Sequence, residues 1–170
     1  PTHRRCRRRI NTYQAAIGLM EIIDLINPES VIANLKVTSK KHALQELSKK
    51  IGALVDQEER IIFDLLLERE KLGTAGVGDG IAIPHGKLNS LDKLCGLFAR
   101  LERPVEFDAI DERPVDLIFL LLAPESAGAD HLKALARVSR LLRDKAVCDK
   151  LRGSDTAEAL YSLLTEQTEN

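Results

Sequence analysis

Apolar residues recur at helical spacing at Ala43, Leu44, Leu47, Ile51 and Leu54, and Ser39 stands where a capping residue belongs, which predicts a helix beginning just after it. A second helix is predicted from Asp56, with Glu59 three residues on as its capping-box partner, through Ile62, Phe63, Leu66 and Leu67 to about Leu72. Residues 73–80 hold four glycines in eight positions and read as a loop. Short apolar runs bounded by turn residues follow at 81–83, 94–101, 105–107 and 115–122 and read as strands. The last is apolar enough to be buried on both faces. After Pro124 and Gly128 the helical period returns, with Asp130 as N-cap and Leu132, Leu135, Val138 and Leu142 toward the core. Two shorter helices follow over 145–151 and 155–165. Helices first, strands in the middle and helices last predict an α/β single domain, a central mixed sheet flanked by helices on both sides.

Length agrees with one domain: 170 residues, 44% apolar and 30% charged, fill one core. Charge divides the chain. The formal total is -1, yet the first nine residues carry five arginines and residues 1–20 no acid, so residues 21–170 hold 20 basic against 26 acidic side chains, about -6. An acidic body argues against nucleic-acid binding by the folded part. Met20 is the only methionine, and the amphipathic pattern starts straight after it. Residues 1–20 are therefore read as a basic arm, 21–166 as the domain and 167–170 as a tail. Two readings of the arm remain, an extension without functional consequence and an electrostatic arm for nucleic acid or an acidic membrane. The longest strongly apolar run is seven residues, Leu117 to Ala123, far short of the roughly 20 that cross a bilayer, so no membrane insertion is expected. The stretch after the arginines is too polar for a signal peptide. Cys6, Cys95 and Cys148 are odd in number and widely spaced, which points to a reducing cytoplasm and no structural metal.

Of the four histidines, two have unusual settings. His85 follows an apolar strand and lies between Pro84, which forces extended geometry on Ile83, and Gly86, which turns without a Cβ. The glycine-rich segment before it has N–H groups able to approach an anion closely, so it is a candidate phosphoryl cradle. His131 falls in the first turn of a predicted helix, where free N–H groups favour an anion and disfavour a protonated imidazole. The plainer reading of His131 is a capping or packing residue. His3, in the arm, and His42, on a surface helix, carry no such signal.

Glu70, six residues, then Val77-Gly78-Asp79-Gly80-Ile81-Ala82-Ile83-Pro84-His85-Gly86 resembles the phosphorylation-site signature of the mannitol/fructose-type IIA domains of the bacterial phosphoenolpyruvate-dependent phosphotransferase system. The longer run from Arg69 to Lys87 is most similar to the nitrogen-regulatory branch, the standalone IIA-Ntr proteins. The resemblance covers about residues 21–166. It implies a mixed five-stranded sheet with flanking helices, and His85 as the acceptor of a phosphoryl group from an HPr-like phosphocarrier. It further implies that His131 supports that group by hydrogen bonding and that Arg69 lies near the site; the plainer reading of Arg69 is a solvated helix-end charge. No cofactor is implied. Partners would be the HPr-like carrier and regulated targets such as transporters or sensor kinases. A sugar-specific IIA unit serving a membrane transporter, a regulator acting chiefly through its unphosphorylated surface and, more remotely, a metal-dependent hydrolase on His85 and His131 are the competing readings.

Overall fold

The computed structural model describes residues 20–166; the arginine cluster, His3, Cys6 and the readings of the arm and tail fall outside the described residues. After two 3-10 turns the chain enters strand β1 (Val31–Leu35), then helices α1 (Lys40–Val55) and α2 (Glu59–Leu72). Strands β2 (Gly76–Gly78), β3 (Ile81–Ala82), β4 (His85–Leu88), β5 (Cys95–Val105) and β6 (Val115–Pro124) follow, and helices α3 (Ala129–Arg143), α4 (Lys145–Arg152) and α5 (Ala157–Thr165) close the chain. They form the expected single α/β domain with one mixed six-stranded sheet.

The sheet runs β1-β5-β6-β3-β2, and β4 also pairs with β6. Strands β3 and β4 lie end to end on the same edge of β6, both parallel to it, with Ile81 opposite Leu117 and His85 opposite Leu121. The break between them is Pro84, which has no N–H to give the ladder; its carbonyl still accepts from Leu121 N at 2.9 Å.

Side chains on one face of the sheet, Leu97, Ala99, Leu101, Ile118, Leu120 and Leu122, pack with Leu44, Leu47, Ile51, Ile62 and Leu66 of α1 and α2. On the other face, Ile81, Ile83, Phe98, Leu117, Phe119 and Leu121 meet Ala134, Val138, Leu151, Leu160 and Leu164 of α3, α4 and α5. β6 is thus buried on both sides, as its apolar run predicts. Ser39 caps α1 as expected, its Oγ accepting from His42 N at 3.0 Å.

Four expectations need correction. Asp56 does not start α2; it ends α1 in the left-handed conformation (φ 56), which a short polar side chain tolerates, and α2 begins at Glu59. The expected strands at 94–101 and 105–107 are one long β5, Cys95–Val105, its pairing with β6 shifting register between Arg100 and Val105, while Phe107 is a buried loop residue. The glycine segment holds a strand, β2, joined to β3 by a two-residue turn at Asp79-Gly80, both at positive φ as a type I′ hairpin requires. Finally, α3 is capped by Gly128, so Asp130 lies inside its first turn. The inward stripe is His131, Ala134, Val138 and Leu141, while Leu132 is 68% exposed.

Candidate phosphoryl-acceptor site

The corrected phase of α3 decides what surrounds His85. Gly86 and Leu88 of β4 face α2: a Cβ on Gly86 would lie 2.8 Å from Leu65 Cδ2, so glycine is what lets α2 pack closely on this strand. Alternation along the strand then puts His85 and Lys87 on the α3 side. There, the ring of His131 lies 5.8 Å from that of His85, centroid to centroid, tilted by 56°.

The His85 ring is fixed by its own strand. Nδ1 is 2.9 Å from the carbonyl oxygen of Ile83. A carbonyl can only accept, so Nδ1 carries the proton and Nε2 keeps its lone pair in neutral imidazole. Ile83 N donates to the carbonyl of Ala75 at 2.9 Å, so the residue that orients His85 is itself held. His85 is half-buried and Lys87 exposed.

His131 is 6% exposed, and its Nδ1 is buried without a hydrogen-bond partner among the described residues. Its pKa is lowered below the ordinary histidine value, first by burial, then by the charges of His85 and Lys87. The side chain is therefore a neutral imidazole at neutral pH. The same helix end offers the unpaired N–H groups of its first turn, with no side-chain cap. A half-buried nucleophilic nitrogen, a neutral imidazole, a helix N-terminus and a lysine ammonium make a niche suited to an anion. Neither histidine lines the cavity of about 400 Å³ beside it, which is formed by Asp24, Asp92, Lys93 and Asp130 among others.

Of the three site residues expected from sequence, the fold brings two together. Arg69 lies in the last turn of α2, exposed, with no hydrogen bond or ion pair among the described residues, on the face of β4 opposite the two rings. The Asp79-Gly80 tip of the glycine segment does not reach the histidines. Gly80 pairs with the start of β6, since Asp116 N and Leu117 N donate to the Gly80 carbonyl. His85 is four residues further along β6, roughly 13 Å at about 3.3 Å per residue. Moreover, a Cβ at Gly80 would meet Asp116 Oδ1 and Arg152 Nη2 at 2.7 Å, so the neighbourhood of this glycine is already filled. Lys87 was overlooked as a site residue; the signal was its i+2 spacing from His85 on a strand.

A mixed sheet between two helical layers, with paired histidines where an edge strand meets a helix N-terminus, defines an α/β domain with a niche suited to an anion. The chain belongs to the EIIA 2 family of the phosphoenolpyruvate-dependent sugar phosphotransferase system, whose model matches residues 24–167. It is 61% identical over 145 residues to a nitrogen regulatory protein of Bradyrhizobium diazoefficiens, covering 85% of this chain and 95% of that one. It is also 37% identical over 158 residues to a fructose-specific EIIA component of Haloferax volcanii, covering 91% and 96%. The crystal structure of the nitrogen regulatory protein IIA-Ntr from Neisseria meningitidis superposes with a TM-score of 0.79 at 34% identity, covering 84% of this chain and 97% of that one. Among the described residues no helix is long and apolar enough to cross a membrane.

Proposed function

We propose that the protein is a cytoplasmic phosphotransfer regulator in which His85 Nε2 accepts a phosphoryl group from the phosphohistidine of an HPr-like carrier. The observation that carries this reading is the 2.9 Å contact from His85 Nδ1 to the Ile83 carbonyl, which commits the proton to Nδ1 and leaves Nε2 as the nucleophile. In the transfer, the Nε2 lone pair forms a bond to phosphorus. The phosphorus–nitrogen bond to the carrier breaks, and its electron pair returns to the carrier imidazole. Nδ1 keeps its proton, so the phosphorylated His85 ring bears positive charge that the Ile83 carbonyl stabilises. Transfer of this kind needs alignment and charge stabilisation more than covalent help.

Neutral His131 suits that task, because an Nε2–H on it can donate to a phosphoryl oxygen while its buried Nδ1 stays unprotonated. The α3 N-terminus and Lys87 add positive potential. Arg69 can reach the site only around the edge of the sheet. β4 is that edge, and Leu65 on Gly86 places the α2 stripe against it, with Arg69 one turn further along.

Phosphorylation adds about -1.5 to -2 charge to a body already acidic. A local change of that size alters which proteins dock here; the 61% identity to a nitrogen regulatory protein favours targets in nitrogen regulation, and the family resemblance adds potassium and carbon metabolism, with transporters or sensor kinases as targets. The deciding experiment incubates the protein with phosphoenolpyruvate, enzyme I and an HPr-like carrier and measures an acid-labile gain of one phosphoryl group. The gain is expected in wild type and absent in His85→Ala; label retained by that variant overturns the assignment.

The second reading, a sugar-specific IIA unit, is favoured by the 37% identity to a fructose-specific EIIA component. Onward transfer from phosphorylated protein to a IIB domain and sugar would select it.

A further inference from the structure

The phosphorylation-site signature opens on Glu70, yet the chemistry at His85 and His131 gives that residue no part. Its carboxylate is among the least exposed in the protein, with 6% of the side chain accessible, and both oxygens are occupied. Oε1 accepts from the backbone N–H of Ala75 at 2.7 Å, and Oε2 accepts from Lys40 Nζ at 3.0 Å. Beyond Ala75 the contacts continue toward the histidine: the Ala75 carbonyl accepts from Ile83 N at 2.9 Å, and the Ile83 carbonyl from His85 Nδ1 at 2.9 Å. We propose that Glu70 is a positioning residue for phosphoryl transfer, holding the 74–76 segment so that the Ile83 carbonyl keeps the proton of His85 on Nδ1.

The geometry of residues 83 and 84 explains why such a brace matters. Pro84 has no N–H, so β3 and β4 are joined by a step that lacks one ladder bond. Ile83 is secured through its N–H to Ala75, and Ala75 belongs to a connection rather than to a strand. Besides the pairing of Gly76 with Ala82 and the local contact of Gly76 N–H with Thr74 Oγ1 at 3.0 Å, that connection is held by three further contacts. Glu70 takes the Ala75 N–H, Thr74 Oγ1 donates to the Phe107 carbonyl at 2.7 Å, and Ile110 N donates to the Gly76 carbonyl at 3.3 Å. Only the Glu70 contact is both short and charge-assisted.

Lys40 keeps Glu70 in place. Burial works against the lysine charge, but the carboxylates of Glu70 and of Asp108, at 3.1 Å, outweigh it and hold its pKa above the ordinary value. Its ammonium also lies 5.4 Å from the centroid of the Phe107 ring. The ion pair thus serves to aim one oxygen at Ala75, and a misaimed carbonyl at Ile83 would let the His85 proton move to Nε2, the atom that must stay bare.

The kinetic part of this proposal rests on His85 being the acceptor; the tautomer part does not, which keeps the two separable. In the full chain labelled with 15N-histidine, two-bond 1H–15N correlations should show His85 as the Nδ1–H tautomer at neutral pH. Glu70→Ala should raise the Nε2–H population and slow phosphoryl acceptance from a loaded carrier by about tenfold or more per folded molecule. Glu70→Gln, whose amide oxygen can still accept from Ala75, should restore the tautomer and most of the rate; its failure to do so overturns the route through Ala75. Should Glu70→Ala not fold, the paired change Lys40→Met with Glu70→Met removes both charges of the pair together and still leaves the Ala75 N–H without its acceptor. A folded variant lacking the Glu70 acceptor that keeps the wild-type tautomer and rate, whatever its Tm, overturns the proposal. Loss of acceptance in wild type itself, with the tautomer responding to Glu70→Ala, would instead strike only the reading of His85 as acceptor.

Discussion

Two polar clusters border β6, one at its start and one toward its end, and they are finished in opposite ways. At the hairpin tip, Arg152 gives Nε and Nη2 to Asp116 at 2.8 and 3.0 Å and Nη2 to the Asp79 carbonyl at 2.7 Å. Arg100 meanwhile donates to the Arg152 carbonyl through two nitrogens and to Ala33. Nearly every hydrogen-bonding group of that cluster finds a partner inside the molecule. Toward the end of β6, opposite Leu121, His85 uses one nitrogen and leaves the other bare, and His131 has a buried nitrogen without a partner among the described residues. A closed network stabilises; an open one keeps capacity for something that arrives later. The difference marks the histidine pair as the place for a ligand more firmly than either histidine does alone.

The sharpest break of that contrast is His131→Ala. It removes the neutral donor and should slow phosphoryl acceptance roughly a hundredfold, the scale of losing one preorganised donor. Rapid-quench transfer from a loaded carrier measures this, and an unchanged rate would leave His131 a packing residue.

Arg152→Ala should do the opposite. Opening the closed network should lower stability by about 1–3 kcal/mol in urea unfolding while leaving acceptance per folded molecule unchanged.

A third test uses pH. The pKa of His131 is depressed in the fold, so below about pH 6.5 the unfolded chain binds more protons than the folded one and stability drops as the pH is lowered. In His131→Gln that share of the acid slope should vanish from Tm measured between about pH 7.5 and 5.5; the same slope in both proteins would assign it elsewhere.

The smallest effect belongs to Arg69→Ala, an exposed charge in the last turn of α2. A rate loss of about two- to fivefold, steeper at low salt, is expected from the same quench assay.

The sequence made the layers legible because their signals are redundant. The seven-residue run of β6 and the stripe of α1 each state their burial several times over, and a conflict at one position cannot change the outcome. It missed features fixed by single residues. Asp56 reads as an N-cap because aspartate caps helices, but only the backbone shows that its amide instead closes α1 onto the Gly52 carbonyl. The Asp79-Gly80 turn was hidden by glycine's low strand propensity. Yet Gly76 sits in β2 because a Cβ there would come within 2.8 Å of Ala109 Cβ. The site was half legible. The setting of His85 between Pro84 and Gly86 is local and could be read, whereas His131 turns inward in place of Leu132 through a shift in helix phase that periodicity alone resolves no better than to one residue.

The ion pair between Arg137 Nη2 and Glu21 Oε2, 3.3 Å long and almost fully buried, joins the helix that carries His131 to the first turn of the domain, 116 residues earlier. On a ribosome adding about 5–20 residues per second, Glu21 waits on the order of ten seconds for its partner to be made. Within that interval lies a shorter one: His131 is made 46 residues after His85 (131 minus 85), and until then the neighbouring imidazole does not exist. The nascent chain therefore carries His85 for some time before the ring that faces it has been made, and a polypeptide cut short between residues 85 and 131 bears His85 without its neighbour.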